Sequence, residues 1–334
     1  MKALAYLFAF TLSAAAAQSA PAPSPPPHPE WKALNDQAIA LYRKGDVPGA
    51  QAAAMQAVDA ATRALGPDDP NVATALANLA AIHDAQRRPG DAEPLLVRAL
   101  AIREKSLAAD SPLVASTLNN LASVYRAQGR AAEAEPLFVR ALAIREKALP
   151  PDSPDVATSL NNLATVYRLQ RNYAAAEPLY ARALAIREKS AGPDSPEVAL
   201  ILGNLAALHD AQDHYAQAEE LYARALPIRE KAYGRESLEA AATLNSLGEL
   251  HLAQRQYEKA EPLLARAYAI REKALPAGDL DLKATKRNLW TLYASRGDPG
   301  QAEKYRQAGD PAPSEYARLR DGKMPNTPSS PSGH

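Results

Sequence analysis

Residues Val156 to Glu197 read VATSLNNLATVYRLQRNYAAAEPLYARALAIREKSAGPDSPE, and this stretch of 42 residues recurs along the chain. Blocks of the same length follow one another without insertion and begin at Glu30, Val72, Val114, Val156, Val198, Ala240 and Leu282. A strict period of this size is typical of repeat proteins, in which each unit buries its apolar face only against its neighbours. The sequence therefore predicts one stacked array over residues 30–309.

The first half of each block predicts an amphipathic helix. In the quoted block, Leu160, Leu163, Ala164 and Tyr167 are spaced i, i+3, i+4, i+7 and form one apolar stripe. A serine or aspartate followed by proline precedes this helix. Such side chains cap free N–H groups and proline suits the first helical position, so each pair predicts where a helix begins. These pairs are Asp69-Pro70, Ser111-Pro112, Ser153-Pro154 and Ser195-Pro196.

The second half predicts a longer helix that Gly192-Pro193 ends in the quoted block. Its apolar residues are Ala176, Leu179, Tyr180, Ala183, Leu184 and Ile186. A proline inside this helix removes one backbone donor, but the apolar period continues through it, so we expect a local bend and not a break. The prolines concerned are Pro94, Pro136, Pro178 and Pro262.

Composition favours an all-α protein without catalytic chemistry. Hydrophobic residues make up 47% of the 334 residues and aromatic residues only 6%, so Ala and Leu must build the interior. Basic and acidic residues both number 38, which removes the electrostatic footprint expected for nucleic-acid binding. Cysteine is absent, and no nucleophile elbow or glycine-rich phosphate loop occurs. We therefore expect no cofactor, no metal, no nucleic-acid partner and no enzyme activity.

The ends of the sequence predict segments outside the array. Lys2, the apolar run 3–12 and the small residues 15–17 are typical of a secretory signal peptide cleaved near Ala17. The apolar run falls well short of the roughly 20 residues of a membrane-spanning helix, so we expect export, to the periplasm, without a membrane span. Residues 18–29 read as a proline-rich linker. Residues 310–334 predict a short capping helix from Ser314 to Arg320 and a disordered tail.

The blocks resemble tetratricopeptide repeats of the long variety found in kinesin light chains and many bacterial relatives. The resemblance rests on the spacing of Leu160, Leu163, Ala164, Tyr167, Ala176, Tyr180 and Ala183, and on the paired asparagines 119–120 and 161–162 followed by Leu-Ala. The usual repeat of about 34 residues is shorter than the present one. The resemblance implies a right-handed α-solenoid of about seven helix-turn-helix units whose concave groove binds protein or peptide partners.

The resemblance also implies which residues line that groove, because the face of the first helix opposite its apolar stripe stacks side by side in successive units. Asparagine amides can pair with the backbone of a bound peptide, and arginine can bind a carboxylate bidentately. Asp84, Asp210 and Glu249 would make the groove acidic towards its flanks. The candidate groove residues are Ser116, Asn119, Asn120, Ser123, Arg126, Thr158, Asn161, Asn162, Thr165, Arg168, Asn204 and Asn245.

Two alternatives remain open for the function. Asn78, Asn120, Asn162, Asn204 and Asn288 can instead bond the neighbouring repeat and stabilise stacking. The whole array can also be a structural scaffold that self-associates through its solenoid ends or convex face, without a dedicated peptide ligand.

Recurring ionisable residues favour structure over chemistry. His83, His209 and His251 occupy the place of Tyr125 and Tyr167, one in each block, which favours packed rings over a metal site. The repeated glutamates and Arg-Glu-Lys triplets are expected on solvated faces or as links between adjacent second helices, because a catalytic pair is needed only once.

Overall fold

A computed structural model of the protein describes residues 29–312, which form fourteen helices and no strand. The all-α class is thus confirmed for this part of the chain. The predicted signal peptide, the linker residues 18–28, the helix from Ser314 to Arg320 and the tail lie outside the described residues. The helices are α1 (Pro29–Arg43), α2 (Val47–Leu65), α3 (Pro70–Ala85), α4 (Pro89–Ser106), α5 (Pro112–Ala127), α6 (Ala131–Ala148), α7 (Pro154–Leu169), α8 (Tyr173–Ala191), α9 (Pro196–Asp210), α10 (Tyr215–Tyr233), α11 (Leu238–Ala253), α12 (Tyr257–Ala274), α13 (Leu280–Arg296) and α14 (Pro299–Tyr305).

Side-chain caps fix where the first helix of several repeats begins. Asp69 Oδ1 accepts the Asn71 amide at 2.8 Å, and the Ser111 and Ser153 hydroxyls accept amides two residues later at 3.3 Å. Each such cap satisfies a helical N–H group that has no partner in its own helix and contributes about 1 kcal/mol. The helix starts predicted from the Ser-Pro and Asp-Pro pairs are confirmed.

The internal prolines do not break the second helices. Pro94, Pro136, Pro178 and Pro262 all lie within continuous helices, as the apolar period predicts. α8 ends at Ala191, where Gly192 takes a φ of +88° and donates its N–H to the Glu188 carbonyl at 3.1 Å. The predicted Gly-Pro stop is therefore also confirmed.

The described residues divide between two compact units, of which the first runs to Asn204. Its core joins the two helices of one repeat to the first helix of the next: Ala80 and Leu96 pack with Leu121 and Val124. Alanine lets the helices approach closely, while each buried leucine contributes roughly 1.5–3 kcal/mol of hydrophobic free energy. Successive α-hairpins of this unit therefore form one stack.

The second unit begins at Leu205 and follows the same plan. Ala206, Ala218 and Tyr222 form one core cluster with Leu247 and Leu250. At its end α14 has only 7 residues, against 18 in α12. The Tyr305 ring stacks on Tyr293 with centroids 5.7 Å apart and covers this last core cluster. The second helix of this last repeat is thus shortened, as the terminal repeats of such arrays often are.

Between residues 29 and 312, no helix combines the length and apolar character needed to cross a membrane.

Candidate functional site

The sequence-predicted groove residues separate into a buried and a half-buried group. Ser116, Arg126, Arg168 and Asn204 are half-buried, so a partner can reach part of each side chain. The others are less than a tenth exposed, which leaves them little surface to offer a bound peptide. The buried group consists of Asn119, Asn120, Ser123, Thr158, Asn161, Asn162, Thr165 and Asn245.

The asparagines form hydrogen bonds from one repeat to the next. Asn162 Nδ2 donates to Asn119 Oδ1 at 3.0 Å, and Asn204 Nδ2 donates to Asn161 Oδ1 at 2.9 Å. The second asparagine of one repeat thus bonds the first asparagine of the repeat before it. This geometry is the one expected of the stacking alternative, and it uses amide groups that a bound peptide backbone would need. The same bond joins Asn78 to Asn35 at 2.8 Å and, within the second unit, Asn288 to Asn245 at 3.1 Å.

The ladder is interrupted where the first asparagine is missing. Ala77 occupies the position that would face Asn120, and the buried Oδ1 of Asn120 has no hydrogen-bond partner. Asn119 is fully buried, and its Nδ2 likewise has no hydrogen-bond partner. The side-chain amides of Asn119 and Asn120 are therefore not fully used in hydrogen bonds between repeats.

Two guanidinium groups and a tyrosine hydroxyl lie together in the first unit. Arg126 of α5 and Arg168 of α7 occupy the same place in successive repeats, and both interact electrostatically with Tyr180 of α8. The fully buried Tyr180 donates its hydroxyl to Thr165 Oγ1 at 2.9 Å, and burial raises its pKa. Burial, with a smaller effect of the Arg168 charge, lowers the pKa of Arg126 to about 10, while Asp84 opposes this shift.

This arrangement leaves excess positive charge on one face of the first unit. The guanidinium groups carry like charges, and the Arg168 charge adds to the effect of burial in lowering the pKa of Arg126. Burial raises the pKa of Asp84, so this carboxyl group, which interacts with Arg126, is a weakened counter-charge. Partial desolvation strengthens electrostatic interactions of this kind. The site can therefore accept an anionic group.

Sequence reasoning missed a register of buried arginines. The arginine of the Arg-Glu-Lys triplets was expected on a solvated face or as a link between second helices, but Arg103, Arg145 and Arg271 are 2%, 1% and 5% exposed. Arg145 donates to the Asp155 carbonyl at 3.0 Å and to the Ser159 hydroxyl at 2.8 Å. Its guanidinium therefore joins the second helix of one repeat to the first helix of the next. A threonine or serine 14 positions after the arginine accepts its hydrogen bond, and this spacing is the sequence signal that indicates a buried arginine. The hydroxyl residues are Thr117, Ser159, Thr243 and Thr285.

The glutamate and lysine of the same triplets do behave as expected. Glu104 pairs with Arg140 of the next second helix, and Lys147 pairs with Asp110 at 2.7 Å. These side chains are well exposed, so each pair contributes at most about 1 kcal/mol and is screened by salt. They link neighbouring repeats without forming a site.

The three recurring histidines differ in how deeply they are buried. His83 and His251 are 8% and 5% exposed, which confirms the packed-ring prediction for these two, whereas His209 is half-buried. Burial lowers the pKa of His83 and favours the neutral ring. Among residues 29–312, no group of three or more potential ligands could hold a metal ion.

The second unit carries carboxylates at the places that the arginines and hydroxyls take in the first. Asp210 corresponds to Arg168, and Glu249 corresponds to Thr165. Burial, then the charges of Glu249 and Asp213, raise the pKa of Asp210. Along the sequence this repeat position is Asp84, Arg126, Arg168 and Asp210, with a carboxylate on each side of the two arginines. The groove that is acidic towards its flanks stays a prediction.

Stacked antiparallel helix pairs with a period of 42 residues define an α-helical repeat protein. The family model described as tetratricopeptide repeat matches residues 32–105, 113–189, 155–231 and 197–273, which together cover well over half of the chain. The chain therefore belongs to the tetratricopeptide repeat family.

Solved structures agree with this assignment. BtubC (BKLC) from P. vanneervenii is 25% identical, with a TM-score of 0.54 over 75% of this chain and 97% of that one. A kinesin light chain-like protein from Podospora anserina with nearly identical TPR-like repeats is also 25% identical, with a TM-score of 0.52 over 60% and 94% of the two chains. The apo form of RapI, at 15% identity and a TM-score of 0.64 over 88% and 99%, shares the fold alone. The comparison with curated proteins gave no match.

Membership in this family has a general functional meaning. Tetratricopeptide repeat proteins are generally non-catalytic scaffolds for protein–protein interaction, so the fold implies protein partners. Family membership specifies neither the position of the binding surface nor the identity of the partner.

Proposed function

We propose that the protein is a non-catalytic adaptor whose first unit binds peptide or protein segments, with Arg126 and Arg168 binding a carboxylate of the partner. The observation that carries the proposal is the pair of half-buried guanidinium groups one repeat apart, which carry like charges and both interact electrostatically with Tyr180. An anionic side chain or chain terminus between them would replace this repulsion with charge-assisted hydrogen bonds.

The surroundings of the two arginines support binding of an extended segment. Asn204 and Ser116 are half-buried on the same helix faces and offer further amide and hydroxyl groups. The remaining asparagines stabilise the framework through their bonds between repeats. In this proposal the arginines bind the partner and the asparagine ladder fixes their spacing.

The test is affinity capture with the protein starting at Gln18, followed by identification of the bound proteins. The double variant Arg126→Glu/Arg168→Glu reverses the charge of the site and is expected to lose the acidic partners that the wild type retains. Capture by the wild type is expected to weaken steeply with salt, since the contacts are ionic.

A matched control changes the same number of charges on the outer helices. Arg63 of α2 and Arg98 of α4 are exposed, so Arg63→Glu/Arg98→Glu alters the net charge equally and leaves the arginine pair intact. Equal capture by the wild type and both double variants would overturn the proposal. Circular dichroism of each variant shows whether its helices remain folded.

We also propose that the protein is exported and acts in the periplasm. The support is the order of Lys2, the apolar run and the small residues before Gln18 in the sequence. Mass spectrometry of the protein from a fractionated bacterial host is expected to find it outside the cytoplasm with Gln18 as its first residue. A cytoplasmic protein that retains Met1 or Lys2 would contradict the proposal.

The alternative function is a structural scaffold built from copies of the chain. A specific observation favours it: Met55, Val97 and Val139 lie at the same position of α2, α4 and α6 and are 51%, 46% and 43% exposed. A two-fold axis parallel to these helices would set Met55 of one copy against Val139 of the other.

Light scattering distinguishes the two functions. A scaffold of this kind is expected to dimerise, and Val97→Asp at the centre of the apolar row should return it to a monomer. A wild type that is monomeric at about 100 μM excludes the self-assembling alternative, because a useful homodimer binds more tightly than this.

A further inference from the structure

Arginine bridges connect most of the successive repeats. In each bridge an arginine in the second helix of one repeat donates to a threonine or serine 14 positions later, in the first helix of the next repeat. A hydrogen bond with a charged donor is stronger than one between neutral groups. The bridges connect α4 to α5, α6 to α7, α10 to α11 and α12 to α13, and they are Arg103–Thr117, Arg145–Ser159, Arg229–Thr243 and Arg271–Thr285.

The junction between α8 and α9 lacks this bridge. Arg187 of α8 keeps the arginine position, but Ile201 of α9 stands at the hydroxyl position and cannot accept a hydrogen bond. Within the described residues, the half-buried Arg187 donates to Thr158 Oγ1 of its own repeat at 2.7 Å. Ile201 is 3% exposed, so apolar burial, which has no preferred direction, holds this junction together.

The junction between α2 and α3 has no bridge either, but it is built differently. Ala61 and Ala75 take the places of the arginine and the hydroxyl residue, and both are buried. No charged group is therefore left there without its acceptor. Among the repeats of residues 29–312, only the α8–α9 junction retains the arginine and lacks the hydroxyl.

α9 departs from the repeat pattern at a second position. Gly203 takes the place of the acceptor Asn161, and Ser246 takes the place of the donor Asn204 one repeat later. The sequence therefore has neither member of the asparagine pair at this step of the ladder. Gly203 also lies in the interior of α9, where glycine lowers helix stability because it loses more conformational freedom than other residues. The boundary between the two compact units, after Asn204, falls inside the same helix.

From these observations we propose that α9 is a weak point built into the array, a helix that opens locally while α7 and α11 stay folded. A repeat array is stabilised by the folding of each unit and by the contacts between neighbouring units, so a missing bridge acts at its own junction. Helices with fewer stabilising contacts open at a lower free energy than the rest of the protein. Opening at α9 gives the array one defined point at which it can yield.

Hydrogen exchange of the full chain, measured by mass spectrometry of its peptides, tests the proposal. Amides of α9 are expected to exchange about 10-fold or more faster than those of α7 and α11, after correction for intrinsic rates, because a charged hydrogen bond shifts an opening equilibrium by about this factor. The three helices have 15, 16 and 16 residues, so fraying at their ends is comparable. Protection of α9 equal to or greater than that of α7 and α11 would overturn the proposal.

A pair of variants with nearly the same shape tests the cause. Ile201→Thr supplies the missing hydroxyl, whereas the control Ile201→Val shortens the side chain equally without a hydroxyl. Exchange of α9 is expected to be about 10-fold slower in the threonine variant than in the valine variant. Equal exchange of α9 in these two proteins would contradict the proposal.

The reverse change creates the same defect at another junction. Thr117→Val removes the acceptor of Arg103 and should speed the exchange of α5 by about 10-fold, while α9 is unchanged. Unchanged exchange of α5 would show that the bridges do not control local opening and would also contradict the proposal. Arg126 and Arg168 are intact in all variants, so partner capture by the first unit remains an independent test.

Discussion

Asn162 Nδ2 donates a hydrogen bond to Asn119 Oδ1 at 3.0 Å and thereby joins the first helices of two successive repeats through fully or almost fully buried side chains. A buried amide that loses such a partner costs about 1–3 kcal/mol, whereas removing both partners costs less than the sum of the two single changes. We therefore expect Asn119→Ala and Asn162→Ala each to destabilise the protein. Their coupling energy is expected to be about 0.5–1.5 kcal/mol.

Urea unfolding of the two single variants and the double variant measures this coupling as a double-mutant cycle. Asn119→Ala combined with Asn245→Ala serves as the control, because these residues lie in different ladder pairs. Strictly additive effects for Asn119 and Asn162 would show that the bond contributes nothing to stacking.

The helix caps and the asparagine pairs show which features the sequence predicts and which it does not. Ser111, Ser153 and Asp69 predicted helix starts correctly, because capping depends on neighbouring residues that the sequence displays directly. The choice between stacking and ligand binding for Asn162 depended on a contact with Asn119, 43 residues away, which single-helix patterns do not contain. The prediction that these amides also bind a partner stays a prediction.

The sequence did not predict the buried arginines, for a different physical reason. Arginine is rarely buried unless its donors are satisfied, so Arg145 beside Glu146 and Lys147 indicated a charged outer face. Its partners are a carbonyl and hydroxyl groups, which carry no charge to mark them in the sequence.

Arg145 is predicted to be more important for stability than the exposed Arg140. Lysine cannot reproduce the forked donors that reach Asp155 and Ser159, so Arg145→Lys should cost about 2–3 kcal/mol. Arg140→Lys keeps a positive charge near Glu104 on the surface and should cost no more than about 0.5 kcal/mol. Chemical denaturation of both variants checks the difference, and similar midpoints would disprove a bridging role for Arg145.

Asp210 is predicted to weaken the folded state at neutral pH. Burial and the charges of Glu249 and Asp213 raise its pKa above the ordinary 3.8. The folded state therefore keeps the proton longer than the unfolded state does, and the contribution of Asp210 to stability is lost as pH rises through its folded-state pKa. Asp210→Asn should stabilise the protein at pH 7 by up to about 1 kcal/mol, reduced by solvent screening of this half-exposed group.

The pH dependence separates this effect from a general effect of asparagine. The gain from Asp210→Asn should disappear below the ordinary pKa of 3.8, where Asp210 is protonated in both states. Thermal unfolding of Asp210→Asn and of the exposed control Asp59→Asn across this pH range makes the comparison. A gain that persists unchanged at low pH would show that charge is not its cause.

Two glycines in helices are predicted to respond to alanine with opposite signs. A Cβ at Gly248 would lie 2.5 Å from Leu264 Cγ and 2.6 Å from its Cδ2, and Leu264 is fully buried between α11 and α12. Leu264 must move within a close-packed core, so Gly248→Ala should cost about 1–3 kcal/mol. A Cβ at Gly90, near the start of α4, meets no atom within 4 Å. Gly90→Ala should therefore gain about 0.5–1 kcal/mol from helix propensity alone. Thermal unfolding of the two single variants measures both effects. A stabilised Gly248→Ala protein would contradict the predicted clash with Leu264 between α11 and α12.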